Sequence, residues 1–444
     1  MDMKFRTRNW WLPMPLIILG LLAPGGAAGQ PQAPAPAGQT AAPAPQNLPT
    51  RITLDDAIDL AIKHNHSLQA ARTTILQNQA AEITANLRPN PTLLGDAQFL
   101  PFFSPSNFNG TYLDNGAQFD VGASYLFERG KKRQRRLQAA RDQTAVTSAT
   151  VDDDARTLTF NVASQFVAVL LAQSELDLAQ TDLKSFQQTV DISQASFDAG
   201  SMSGADLLKI KIQMLQFQMD VSAATLARVQ ALASLRQLLG YESVPENYAV
   251  VGDLEYKPVK LGEDELKAMA LRLRPDVREA RLGITAAQSQ LALQQAIGKV
   301  DVTGQANYTH VADTNTVSFF ASVPLPVFNR NQGEIARSRY AITQSQELSS
   351  EQSSIALTDV VNSYEGLRTN DEVVMLYQSG YLKEAEDSRD ISQYAYQHGA
   401  ASLLDFLDSE RSYRATELAY RQALANYMTS LEQLRQAVGT RSLP

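Results

Sequence analysis

A chain of 444 residues with a formal charge of −8 has the length of two or three ordinary domains and the wrong sign for a nucleic-acid partner. It contains no cysteine, which excludes disulfides, thiolate metal ligands, a cysteine nucleophile and a lipid-modified N-terminal cysteine.

Residues 1–29 have the layout of a signal peptide: Lys4, Arg6 and Arg8, an apolar run from Trp10 to Leu22, then Gly26-Ala27-Ala28 for cleavage. An uncleaved anchor is the other reading, although the run is short for a span. Residues 30–50 are rich in Pro, Ala and Gln, as in a flexible tether. No later segment offers the ~20 unbroken apolar residues of a transmembrane helix, so an exported chain of this kind is either soluble or inserted as strands.

The spacing predicts a helix over Leu54–Leu87, started by Thr53 and Asp55-Asp56 and broken near Asn65-His66-Ser67. Strands follow: a weak one at Thr92–Phe99, then Ala117–Phe127, where Phe119, Val121, Tyr125 and Phe127 alternate with polar or small residues. A Pro/Asn/Gly-rich loop, Pro101–Gly116, lies between them. Lys131–Ala199 has no proline and reads as one helix, roughly 100 Å long. Its second half carries a seam at Leu176, Ala179, Leu183, Phe186, Val190 and Phe197. The return helix, about 55 Å, has a seam at Leu208, Ile212, Leu215, Met219, Leu226 and Val229. The helix Leu54–Leu87 is about 50 Å, so two short helices end to end match one long one.

The pattern then starts again. A helix over Leu261–Ile297 repeats the first, with Ser67-Leu68-Gln69-Ala70-Ala71-Arg72 matching Asp276-Val277-Arg278-Glu279-Ala280-Arg281. Strands at Val300–Tyr308 and Val317–Leu325 flank a short Asp313-Thr314-Asn315 turn. Phe197-Asp198-Ala199-Gly200 with Asp206-Leu207-Leu208 returns as Tyr396-Gln397-His398-Gly399 with Asp405-Phe406-Leu407. Each copy breaks a long helix at a glycine able to take φ > 0 and restarts it on an aspartate, as at the tip of a helical hairpin. The chain therefore reads as two structural repeats, 51–250 with its hairpin over 130–239 and 251–444 with its hairpin over 334–438. On pattern alone the strands fit either a small β-domain capping a helical bundle or a membrane barrel, since about ten residues cross a bilayer when tilted.

With these tips, Phe127-Glu128-Arg129-Gly130-Lys131-Lys132 and Pro324-Leu325-Pro326-Val327-Phe328-Asn329-Arg330 resemble the strand-to-helix junctions of the TolC-like outer-membrane efflux channels, in particular the CzcC-like heavy-metal subgroup. The resemblance runs from Leu54 to Gly439. It implies an α+β membrane protein: a homotrimer whose subunits each give four strands to one twelve-stranded β-barrel, continued in the periplasm by a long α-helical barrel. It implies a place in the outer membrane in contact with its lipid, and hairpin tips at Gly200, Ser201, Gly399, Ala400 and Ala401 that meet a periplasmic adaptor (membrane fusion protein) and inner-membrane transporter.

By the same resemblance Asp405 and Asp408, one turn apart, ring the constricted entrance; threefold symmetry gathers six carboxylates that attract cations. Read from the residues alone, they are a helix-start aspartate and a solvated neighbour. Asp206 is the counterpart of Asp405, but Lys209 stands where the second copy has Asp408, so the hairpins are unequal gates. Tyr396 matches a latch position of the family, whereas the family's neighbouring arginine is replaced by Ala401.

The basic run Arg129–Arg136 fits a solvated helix start, or side chains facing lipid phosphates or acidic neighbours, better than a nucleic-acid patch. His64 and His66 do not share a helical face and no other ligands complete a metal set, so neither metal site nor cofactor is expected. No nucleophile elbow, phosphate loop or catalytic dyad is present, and no enzyme activity is expected. The function expected is a passive efflux duct, for metal cations or alternatively for drugs or proteins; a soluble periplasmic coiled-coil adaptor is the rival from another class.

Overall fold

A computed structural model describes residues 50–259 and 262–443. The expected signal peptide and nearly all of the tether lie outside the described residues.

A short strand β1 (Arg51–Ile52) leads into α1 (Leu54–His64), where Thr53 and Asp56 form a reciprocal cap. The expected break falls at Asn65, whose backbone leaves the helix at ψ 119°. Its side chain caps α2 (His66–Ala85) by accepting from the Leu68 amide at 3.0 Å. Strand β2 (Thr92–Gln98) follows. The expected loop 101–116 is partly ordered, with a 3₁₀ turn at Pro105–Asn107 and a short helix α3 (Gly110–Asn115) capped by Asn109. Strand β3 (Gln118–Phe127) then feeds α4 (Lys132–Asp198), which runs unbroken for 67 residues. The return helix α5 (Gly204–Leu239) ends near β4 (Ala249–Val250), which pairs in parallel with β1 and was not anticipated.

The same order recurs. Helix α6 (Glu263–Leu273) breaks at Arg274 before α7 (Pro275–Ile297), because Pro275 excludes helical backbone from the residue ahead of it. Strands β5 (Val302–Val311) and β6 (Thr314–Ser322), the long helix α8 (Gln332–Leu376), α9 (Leu382–Gln397) and α10 (Leu403–Val438) complete the chain. Two corrections apply here. The fourth strand begins and ends three residues early, and Thr314 and Asn315 belong to it rather than to the turn. Pro324 and Pro326 lack the amides needed to extend a ladder, so pairing stops at Ser322. The second long helix is also not continuous: a π-turn at Tyr377–Tyr381, with Gly380 at φ 143°, separates α8 from α9.

The four long strands form one antiparallel sheet in the order β2-β3-β5-β6. Its register sorts the side chains cleanly. Ala97, Phe119 and His310 align, as do Gly95, Val121, Tyr308 and Val317, and Phe319 lies opposite Ala306 on the same face. Gln98, Asp120, Thr309, Gln305 and Asn307 occupy the other. One face is thus largely apolar and the other largely polar, and β2 and β6 are left as open edges.

Below the sheet α4 is flanked by α2 and α7, and further along by α5 and α10. The lengths agree with end-to-end stacking, since α1 and α2 have 11 and 20 residues and α5 has 36 against the 67 of α4. One core forms around Ile52, Val162, Phe166, Val169 and Leu235 where α1, α4 and α5 meet. A second lies around Leu266, Val360, Tyr427 and Leu434, and a third joins the two hairpins near their tips. Over part of its length α4 is long and apolar enough by composition to pass for a membrane span, although Asn161, Ser164, Gln165 and Gln173 interrupt the apolar run. It is also the helix that supplies Val162, Phe166 and Val169 to a protein core.

The seam expected on α4 is largely buried, with Leu176, Ala179 and Phe186 inside and only Phe197 exposed. The seam expected on α5 is a different matter. Leu208, Ile212, Leu215, Met219, Leu226 and Val229 are all exposed. The packed face lies one or two residues earlier, at Leu207, Ile210, Met214 and Phe217, about 150° round the helix.

Candidate gate at the hairpin tips

Both tips are built alike. At Gly200 the chain takes φ 78°, and the Ser201 amide donates to Ser196 O at 2.9 Å. At Gly399 it takes φ 73°, and the Ala400 amide donates to Ala395 O at 2.8 Å. A side chain at such φ is strained, hence glycine at both turns. Ser203 and Ser402 then cap the return helices, accepting from the Asp206 and Asp405 amides at 3.1 and 3.2 Å. Their hydroxyls donate back to the same carboxylates at 2.9 and 2.8 Å. The two serines escaped the sequence reading, although a serine three residues before a carboxylate at a helix start signals such a cap.

The tips lie side by side around a cleft of about 650 Å³. Ser201, Asp206, Tyr396, Gly399 and Ala401 line it, whereas Gly200, Ala400, Asp405 and Asp408 are not part of its wall. Asp206 receives a hydrogen bond from Lys209 Nζ at 3.1 Å. The Ser203 hydroxyl, and after it Lys209, hold the Asp206 carboxyl below the usual range. Asp408 has Arg411 at 4.0 Å, with both side chains well exposed. The two hairpins therefore differ in charge as well as sequence: the first neutralises its aspartate with Lys209, while the second presents two carboxylates on successive turns of α10.

Behind the cleft an aromatic stack binds the hairpins together. The Tyr396 ring lies 5.4 Å from Phe406, Phe406 lies 6.5 Å from Phe186, and Phe186 lies 4.6 Å from Phe217. The first two rings belong to the second hairpin and the last two to the first, so separating the hairpins unstacks Phe406 from Phe186. The Tyr396 hydroxyl is buried with no well-aligned hydrogen bond, and burial raises its pKa. Arg414 closes the far end, its guanidinium 4.4 Å from the Phe217 ring centre and 3.3 Å from Asp182, and it also pairs with Asp220. Burial pushes Asp182 up despite that partner. Arg414, Asp182 and Asp220 come from three helices, and no local pattern announced them.

Among the described residues no group of three or more His, Asp or Glu side chains is placed to hold a metal ion. His66 instead meets Glu242 at 3.1 Å.

Comparison with known proteins agrees with this architecture. The sequence model of the outer membrane efflux protein family matches residues 57–241 and 266–440. The cobalt-zinc-cadmium resistance protein CzcC of Cupriavidus metallidurans is 24% identical over 448 residues, covering 98% of each chain. The pyoverdine export outer membrane protein OpmQ of Pseudomonas putida is 24% identical, over 87% of this chain and 85% of that one. Among solved structures, a crystal structure of CusC superposes with a TM-score of 0.71 at 21% identity, covering 87% of this chain and 92% of the other.

Proposed function

Because this chain belongs to the outer membrane efflux protein family, whose members are outer-membrane channels and not enzymes, we propose that it is the passive trans-periplasmic duct of a tripartite efflux system and that its cargo is metal cations. The observation that carries the reading is the four-stranded sheet with one apolar face, one polar face and two open edges. In hydrocarbon an unpaired edge is untenable, and four strands cannot close a barrel of useful bore. Three copies joined edge to edge give a twelve-stranded β-barrel with the apolar face towards lipid and Gln305, Asn307 and Asp120 towards water. The recurrence of element order and the two matched segments support two repeats, 51–250 and 251–444, each giving two strands and a hairpin.

In this reading the helices continue the barrel into the periplasm, and Gly200, Ser201, Gly399, Ala400 and Ala401 face a periplasmic adaptor that joins the duct to an inner-membrane transporter. Asp405 and Asp408 form the cation-selective ring, Asp206 is a weaker partner because Lys209 offsets it, and Tyr396 latches the hairpins by packing against the core that Phe186 and Phe217 share with Phe406. The end-to-end likeness to a cobalt-zinc-cadmium resistance protein favours metal cargo. The likeness to a pyoverdine exporter keeps an organic cargo as the second reading. Deleting the gene should leave cells sensitive to cobalt, zinc or cadmium with dye tolerance unchanged. Dye sensitivity with unchanged metal tolerance overturns the metal assignment, and recovery of the protein from the soluble periplasm without detergent overturns the duct.

A further inference from the structure

We propose that the collar of basic and apolar side chains where the sheet meets the helices binds the phosphates of anionic phospholipids in the inner leaflet of the outer membrane. The inference rests on the barrel reading above and adds a lipid class to it. Eight basic side chains crowd this level: six between Arg129 and Arg136, with Lys299 and Arg330 beside them. Three acids accompany them, and all are taken: Glu334, in the first turn of α8, pairs with Arg337 at 3.4 Å. Asp301 accepts from Lys132 Nζ at 2.7 Å and from the Arg129 amide at 2.8 Å, and Glu128 pairs with Arg136. Lys132 is buried by its pairing. The other six, Arg129, Lys131, Arg133, Arg135, Lys299 and Arg330, form no ion pair among the described residues. A cluster of six unmatched cations on a chain of net charge −8 is a local field for an anion.

The same level carries apolar side chains with nothing over them. Phe127 ends the apolar face of β3, and beyond β6 Leu325, Val327 and Phe328 are 82%, 62% and 90% exposed. Pro324 and Pro326 hold this segment out of the ladder, and Arg330 Nε is tied back to Pro326 O at 3.0 Å, which keeps the cation beside the apolar loop. Apolar side chains and cations alternate here within a few residues, at the periplasmic rim of a sheet whose apolar face is above. That is the profile of the boundary between acyl chains and phosphate groups, where aromatic rings and basic side chains are both favoured. Free phosphate would leave Leu325 and Phe328 in water, so the phospholipid accounts for both halves of the collar.

The test uses the full chain with Phe328→Trp, and with Trp10 and Trp11 changed to Phe so that one indole reports. In nanodiscs of phosphatidylcholine mixed with phosphatidylglycerol, either lipid is brominated to quench it. Brominated phosphatidylglycerol should quench in preference to brominated phosphatidylcholine by at least about fivefold, the factor that one basic side chain near an anionic surface supplies. Adding Arg129→Gln, Lys131→Gln, Lys299→Gln and Arg330→Gln should abolish that preference while leaving quenching by both lipids. Removing four cations elsewhere, Lys63→Gln, Lys184→Gln, Lys211→Gln and Lys383→Gln, should preserve it. Equal quenching by the two lipids without the collar substitutions overturns the proposal and leaves the barrel standing. Absence of quenching by either overturns both.

Discussion

Asp405 accepts from the Ser402 hydroxyl and so helps to begin α10, whereas Asp408 has only Arg411 within ion-pair distance. Replacing Asp405 by alanine would therefore remove a charge and the reciprocal half of the capping box together, although the Ser402 cap itself would remain. Asparagine keeps the oxygen acceptor and removes the charge. Asp405→Asn with Asp408→Asn is expected to lower the cation-to-anion permeability ratio severalfold in single-channel recordings; an unchanged ratio would remove both from the gate. Glu410, two residues further on, lies among Asp182, Arg389 and Arg414. Burial and then the Asp182 charge raise its carboxyl above the ordinary value, with Arg389 and Arg414 opposing and Asp390 adding. A carboxyl raised in the fold binds its proton more tightly folded than unfolded. Its contribution to stability is full below the unfolded value near 4.5 and is lost as pH climbs through the raised one. The hairpins should thus melt at higher temperature in mild acid, and Glu410→Gln should flatten that dependence and raise the melting point at neutral pH. An identical pH profile in the variant would show that Glu410 does not titrate in this window. The capping aspartates were legible because a cap is local. The Arg414 cluster was not, because its partners lie 194 or more positions away in the chain and meet only after both hairpins have packed.

Helices and strands were legible where one rule governed them. Period two marked β3 and β5, and absence of proline marked α4. The break near Asn65 was expected, whereas its counterpart at Arg274 was not, the second copy having been read as one helix over Leu261–Ile297. In the structure both residues leave the helix with nearly the same backbone, ψ 119° and 127°. The end of β6 was misplaced because apolar alternation continues through Val323 and Leu325 after the prolines have ended pairing. The π-turn at Tyr377–Tyr381 was invisible, since Gly380 differs from the tolerated helical Gly366 only in conformation. That difference makes a test. Gly366 has nothing within 4 Å of an added Cβ and ordinary helical backbone, so Gly366→Ala should stabilise α8 by about 0.5–1 kcal/mol. Gly380 also has room, with Glu384 at 3.8 Å, but its φ of 143° strains any L side chain, and Gly380→Ala should cost about 1–3 kcal/mol. Opposite shifts in thermal melting are expected from the two alanines. Equal shifts would mean that the π-turn relaxes to regular helix at no cost, and that α9 is not hinged there.

At the scale of the molecule, α5 carries two stripes in heptad rhythm. Leu207, Ile210, Met214 and Phe217 serve this chain, and Leu208, Ile212, Leu215 and Met219 face away from it. A sequence displays both stripes with equal clarity and cannot say which one the chain itself covers. The outward choice was settled by Phe186 on α4, which stacks on Phe217 of the first stripe and is itself stacked with Phe406 on α10, leaving the second stripe uncovered. Six large apolar side chains exposed in a row on one face of α5 are a surface that aqueous periplasm disfavours, each worth roughly 1.5–3 kcal/mol on burial. On the barrel proposed above, the second copy that closes the open sheet edges is also the partner for this stripe, and a single threefold arrangement would satisfy edge and stripe at once. Ile212→Asp with Met219→Asp is expected to leave each chain folded, because neither side chain enters its own core, and to weaken every copy of the interface in the assembly. In detergent, light scattering should then give the mass of one chain in place of three, with the far-ultraviolet helical signal unchanged. If the double variant still runs as three chains, the outward stripe of α5 is not the seam between subunits, and the helical barrel must be joined through other faces.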